Sequence, residues 1–373
     1  MMNFEEFKGK AVESIRDFLP ESFASADVTI QNVVKNNDTV LSGLLIRKDD
    51  VNIAPTIYLE DFYKDYTDGK GFGDIMKDIA RMRMAHDVTK DVDTSMFQDL
   101  EKVKGKIFPK LINAEMNKEY LSDKPHTIKE DLAVVYAIDL GERGDGRIST
   151  MINNQMMEYY NLSTDELHDI ALDNLSKMDI QFRTMRDVLI DMMFPDGMRE
   201  DDPMMAMLPP EEEKPSMYVL TANNMLNGAM ALLDQKTMDD ISQKLGGDFI
   251  VLPSSIHESI LLPLNEEYDK HTLESLVRDV NASTVAPEAR LSDHVYIYDS
   301  VEKELVLADK MAERLQQREE ARKDAKTTDR SEKKPERERV SMKKKLAEKK
   351  AEVAKNAECR DLIPAKKMEM ALG

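Results

Sequence analysis

Residues 248–264 read DFIVLPSSIHESILLPL. Two apolar runs rich in β-branched and long aliphatic side chains, DFIVLP and SILLPL, flank a short polar segment, PSSIHE. Runs of this length bounded by proline and serine read as buried β-strands joined by a turn. On the N-terminal side lies another strand, MYVLT, then a helix around 227–234. A second helix follows at Thr237, where Thr237 and Asp240 stand at a capping-box-like spacing, and Gly246-Gly247 ends it as a C-cap. On the C-terminal side a helix at TLESLVRDV and a last strand, HVYIYD, complete a unit of short strands and helices.

A similar unit precedes it. DLAVVYAIDL is a strand, GERGDGR is turn-rich, NNQMMEYY is helical, and STDELHDIALDNL is a second helix whose start is fixed by Ser163 and Glu166 at capping-box spacing. Further upstream, Phe4, Phe7, Ala11, Ile15, Phe18 and Leu19 recur at helical spacing up to Pro20. VTIQNVV and TVLSGLLI flank Lys35-Asn36-Asn37-Asp38 as a β-hairpin, and 54–59 adds a short strand. A helical pattern is expected over about 59–118, broken at 69–73 and near Pro109. The fold class is α/β or α+β, with short strands, two-helix crossovers and a charged C-terminal tail, helical or disordered. The expected organisation is 1–106 for the N-terminal helix, hairpin and helices, 107–315 for the main body with an acidic, proline-rich loop near 195–215, and 316–373 for the tail.

Composition narrows the function classes. The 373 residues are 41% hydrophobic and 33% charged, with a formal net charge of -20. So acidic a body is repelled by nucleic-acid backbones and anionic membranes. The single cysteine, Cys359, excludes an internal disulfide framework and a cysteine-rich zinc site, which fits a reducing cytosol. No apolar stretch is long enough to span a bilayer. Within the tail, Lys343, Lys344, Lys345, Lys349 and Lys350 make a local basic excess, so weak nucleic-acid association is open to the tail and not to the body.

Few residues suggest chemistry. Gly69-Lys70-Gly71-Phe72-Gly73 lacks the preceding apolar strand and the spacing of a phosphate loop, and reads as a helix-ending turn. Asp139, Glu142 and Asp145 are oxygen ligands on a loop without EF-hand spacing, as are Glu200, Asp201 and Asp202. Of the 26 methionines, Met204, Met205 and Met207 lie in the acidic loop and suit a partner anchor. Ser255, His257 and Glu258 supply the nucleophile, base and acid types of a hydrolase at a strand end. The same S-x-x-E spacing equally predicts a capping box on one tight helical turn. No cofactor or metal is expected.

The ordered set MYVLTANNMLNGAMALL, GGDFIVLPSSIHESILLPL, LVRDVN and LSDHVYIYD, with VVYAIDL and LSTDELHDIALDNL before it, resembles an uncharacterised domain-of-unknown-function family, number 5688. That family occurs in clostridial gut bacteria, often on mobile genetic elements. The set is also distantly similar to the bacillar YtpQ-type family. The resemblance implies a bacterial cytosolic protein and carries no activity. The expectation is therefore a non-enzymatic cytosolic interaction or accessory protein with a protein partner, encoded on a mobile element. The alternatives are a hydrolase using Ser255, His257 and Glu258, and nucleic-acid association through the tail.

Overall fold

The computed structural model describes residues 1–49, 51, 54–87, 95–143, 146–194, 208, 216–223, 225–253, 255–264, 269–326 and 368–369. The expected acidic loop, apart from Leu208, lies outside these residues, as do Asp145, Glu200, Asp201, Asp202, Met204, Met205, Met207, Ser254, Cys359 and the lysines at 343–345 and 349–350.

The N-terminal part holds helix α1 (Phe4–Ser14), strands β1 (Asp27–Val34), β2 (Val40–Arg47) and β3 (Thr56–Tyr58), and helices α2 (Glu60–Thr67) and α3 (Phe72–Ala85). Asn3 and Glu6 make both arms of a capping box on α1. The hairpin is antiparallel, from Asp27 opposite Arg47 to Val34 opposite Val40. Its turn places Asn37 and Asp38 at φ 61° and 48°, the left-handed region those side chains tolerate. Phe7, Ala11 and Ile15 of the first helical stretch pack with Leu44, Ile46, Ile57, Ile75 and Ile79 in one cluster. Arg83 is fully buried beside it. Its Nε donates to the Ile46 carbonyl, Nη1 meets Asp87, and the guanidinium lies over Phe23.

The helical reading of 59–118 fails at its far end. After the short α4 (Leu100–Val103) the chain forms strand β4 (Ile107–Asn113), which contains Pro109. Among the described residues β4 pairs only with β6 (Leu132–Arg143), so it is an edge strand, where a proline that cannot donate to a second neighbour is tolerated. α5 (Lys118–Leu121) and β5 (His126–Lys129) lead into β6, which also pairs with β5 and with β7 (Gly146–Met151). Helices α6 (Asn154–Tyr160) and α7 (Thr164–Leu175) follow, and Ser163 and Glu166 make both arms of the predicted capping box.

A six-stranded antiparallel sheet comes next. It contains β8 (Ile180–Thr184), which leads into helix α8 (Met185–Met193), then β9 (Tyr218–Ala222), β10 (Phe249–Leu252), β11 (Glu258–Pro263), β12 (Tyr296–Asp299) and β13 (Glu304–Leu307), in the order β13-β12-β10-β11-β9-β8. Helix α9 (Gln235–Leu245) is capped by Asp234, which accepts from both the backbone and the hydroxyl of Thr237, so the cap sits three residues before the expected position. Gly246, at φ 86°, ends it as expected. Helices α10 (Lys270–Ser283) and α11 (Ala308–Lys326) complete the body, and a two-residue strand, β14 (Met368–Glu369), pairs with β3.

Strand alternation explains the layering. One face of the six-stranded sheet, with Leu220, Phe249, Val251 and Tyr296, shares a core with Val134 and Tyr136 of the four-stranded sheet and with Leu167 and Met238 from α7 and α9. The opposite face, with Ile250, Leu252, Ile297 and Val306, is covered by Leu273 and Val277 of α10 and Met311 of α11. The paired strands are all antiparallel and the helices cover the sheets, which makes the fold a mixed α and antiparallel β one.

Helix α11 runs across the expected boundary between 315 and 316. Its Arg314 and Arg318, one turn apart, converge on Asp299, the last residue of β12, which is fully buried. The carboxylate accepts from Arg314 Nη1 at 3.0 Å and from Arg318 Nη2 at 2.8 and 2.9 Å, and also from the backbone N–H groups of Val301 and Glu302.

Candidate functional site

Ser255, His257 and Glu258 sit where β10 turns into β11. The segment is a tight strand connection and not a helical turn, because β10 and β11 pair in register almost up to it, with Leu252 opposite Ile260. Ser255 N–H donates to the Glu258 carbonyl at 3.3 Å. Ser255 Oγ, 8% exposed with its residue, accepts from the backbone N–H of His257 at 3.0 Å. That is a hydroxyl-capped turn over two residues, where a capping box would aim the hydroxyl at Glu258 N–H.

The neighbouring 3-10 stretch, Gly228–Leu233, lies against this turn. Thr221 Oγ1 donates to the His257 carbonyl at 2.8 Å, Ala229 N–H to the Ile256 carbonyl at 3.2 Å, and Asn227 N–H to His257 Nδ1 at 3.2 Å. Gly228 permits the approach, since a Cβ there would stand 2.3 Å from the His257 carbonyl oxygen and 2.6 Å from Ala222 N. The bond from Asn227 fixes the tautomer: Nδ1 is the acceptor, so a neutral ring carries its proton on Nε2. Burial pushes the His257 pKa down, and the charge of Lys110 adds to the shift. The structure thus brings Ser255 and His257 together through the backbone, with the serine hydroxyl turned to a main-chain donor.

A second cluster escaped the sequence reading. Tyr136 of β6 is fully buried, and its hydroxyl bonds to Thr127 Oγ1 of β5 and to His168 Nδ1 of α7, both at 2.9 Å. Burial pushes the tyrosine up to about 12. It pushes His168 down, where nearby Asp169 and Asp165 oppose the shift and Lys129 reinforces it. Burial also lowers Lys129, against the pull of Glu304 and Glu130. A neutral imidazole hydrogen-bonded to a neutral phenol can pass a proton. Only α7 periodicity hinted at this cluster, because His168 directly follows the buried Leu167.

A third polar constellation joins the two sheets. Asp131 accepts from Tyr296 Oη and from Ser292 Oγ, the latter at 2.8 Å, and burial next to that carboxylate drives the Tyr296 pKa far up. Among the described residues, no group of three or more His, Cys, Asp or Glu is arranged to hold a metal ion, and no helix is long and apolar enough to cross a membrane. Asp139 and Glu142, expected on a loop, lie instead in β6, opposite Ser149 and Arg147, and the side chain of Asp139 accepts from Gly141 N–H at 3.0 Å.

A family model described as a family of unknown function, DUF5688, matches residues 4–300. No curated protein and no solved structure matches the chain.

Proposed function

The chain belongs to DUF5688, a family of unknown function, and we propose that it works in the cytosol as a non-enzymatic interaction or accessory protein that binds a protein partner. The observation that carries this reading is the anchoring of α11 on Asp299. A fully buried carboxylate holding two arginines adds little net stability, because removing the charges from water costs about as much as their attraction returns. What such a site supplies is position. Here it fixes the root of a 19-residue helix whose side chains over 312–320 are mostly exposed, Leu315 among them at 40%.

A helix that is polar nearly all round and yet rooted in the body suits a surface presented to something else. Charge adds to the case. From residue 316 onward the chain has 18 Lys and Arg against 12 Asp and Glu, which leaves 34 against 60 for the rest. A segment opposite in sign to the body gives a partner an oriented field to follow.

The Ser255 segment supports the same reading, since Ser255 Oγ and His257 Nδ1 are each engaged by a backbone N–H. The test is a panel of small esters and peptides incubated with the parent protein and with Ser255→Ala. No turnover by either is expected. Turnover by the parent that a folded Ser255→Ala protein lacks would replace this reading with hydrolysis.

A further inference from the structure

We propose that a cavity between α10 and the segment around Arg290 binds a small phosphorylated metabolite, which goes beyond the protein-binding reading. The cavity has a volume of about 230 Å³. Arg278, Asn281 and Ala282 line it from one face of α10, at positions i, i+3 and i+4. Arg290, Ser292 and Asp293 line it from the following segment, and Met116 closes one side.

The hydrogen bonds show which groups are already committed. Asn281, 2% exposed, donates its amide nitrogen to the Ser292 carbonyl at 3.0 Å and to Asp293 Oδ1 at 2.8 Å. Two acceptors on one side fix the amide's orientation, and its Oδ1 is buried without a partner among the described residues. Ser292 Oγ is spent on Asp131 and on His294 N–H. Among the described residues Arg290 uses only Nε, toward the Val285 carbonyl at 3.3 Å. Arg278 makes no hydrogen bond or ion pair with the described residues. The open donors are therefore guanidinium N–H groups from two arginines, and the open acceptor is the second oxygen of Asp293, since Asn281 Oδ1 is buried away from the cavity.

Two guanidinium forks offered together match an oxyanion that can take paired hydrogen bonds from each, and a phosphate monoester supplies both the oxygens and the double charge. The Asp293 acceptor calls for a ligand hydroxyl. Size sets the class: a water occupies about 30 Å³ of liquid, so the cavity has room for roughly seven waters, which fits a phosphate with a short polyol or pentose body. It falls below the range of about 300 Å³ and upward of drug-sized pockets, which disfavours a whole nucleotide.

The cavity also adjoins a seam. At the hairpin tip Asn36 donates to the Glu288 carbonyl, and Asn37 donates to the carbonyls of Pro287 and Arg290. Asn37 also exchanges two hydrogen bonds with Asn117, next to Met116.

Calorimetric titration of the full chain with ribose 5-phosphate tests the proposal, with ribose and malonate as comparison ligands. Ribose 5-phosphate should bind with a dissociation constant below about 1 mM, and Arg278→Gln should weaken it at least about tenfold, the loss of one charge-assisted contact. Arg278 is exposed and unpaired among the described residues, so that variant keeps its fold; Arg290→Gln should behave alike. No heat of binding at millimolar ligand, equal binding by malonate or ribose, or unchanged affinity in Arg278→Gln would each overturn the proposal.

Discussion

Replacing Asp299 by asparagine removes one negative charge from a fully buried site and leaves nearly the same shape. Asparagine Oδ1 can still accept from the Val301 and Glu302 N–H groups, so the turn after β12 survives. The arginines lose their counter-ion. Removing one partner of a buried ion pair costs about 3–5 kcal/mol. Arg314 and Arg318 are 30% and 26% exposed, so water recovers part of their hydration and lowers the expected cost to about 2 kcal/mol. In a protein of this size that lowers the melting temperature by roughly 2–4 °C.

The pH dependence distinguishes charge loss from a packing defect. Burial alone would raise the Asp299 pKa, but the hydrogen bonds of Arg318 and Arg314 hold it below the ordinary carboxylate value. A depressed folded pKa means that its contribution is complete above the unfolded pKa and is lost as pH falls through the folded one. Thermal melts of the parent and Asp299→Asn should therefore differ at neutral pH and converge in acid. Equal melting temperatures at neutral pH, or a gap that persists in acid, would refute the reasoning.

Other expectations follow from the same geometry. A chain ended after Leu315 should melt lower than one ended after Lys326, by about 1–2 kcal/mol, because only the longer one keeps Arg318 on Asp299; equal melts would remove Arg318 from the anchor. Gly228→Ala should cost roughly 3 kcal/mol in denaturant unfolding, because backbone atoms stand where the Cβ would go. His257 is held neutral by burial, so stability should fall as pH drops from about 7.5 toward 5, and His257→Gln should flatten that slope in melts across the range. Asn37→Ala should cost about 2–3 kcal/mol, by losing the seam bonds and straining a left-handed position, and Asn37→Gly should recover the strain part only.

What was legible in the sequence was what local chemistry decides. The hairpin at Asn36–Asn37, the capping box at Ser163 and Glu166, the Gly246 terminus and the apolar runs of β10, β11 and β12 each depend on neighbours within a few residues. β4 was lost because Pro109 reads as a helix break unless the strand is known to be an edge. β5, β8 and β13 are short and only partly buried, so they leave no clear apolar period. The S-x-x-E spacing at Ser255 suggested a helical cap, yet strand pairing on both sides left room only for a turn. The Tyr136–His168 pair and the Asp299 anchor join elements far apart in sequence. Nothing local marks Arg314 and Arg318, because the carboxylate they grip lies on another element.

On the function proposed above, α11 is held in place to meet a protein partner. A photo-crosslinking residue at Gln317, exposed on α11, should capture one defined protein in the cells that make this chain. The same residue at Lys236, exposed on α9, should not. Adding Asp299→Asn should reduce the Gln317 product several-fold while the rest of the body stays folded. No product at Gln317, the same product from Lys236, or a yield unchanged by Asp299→Asn would contradict the account.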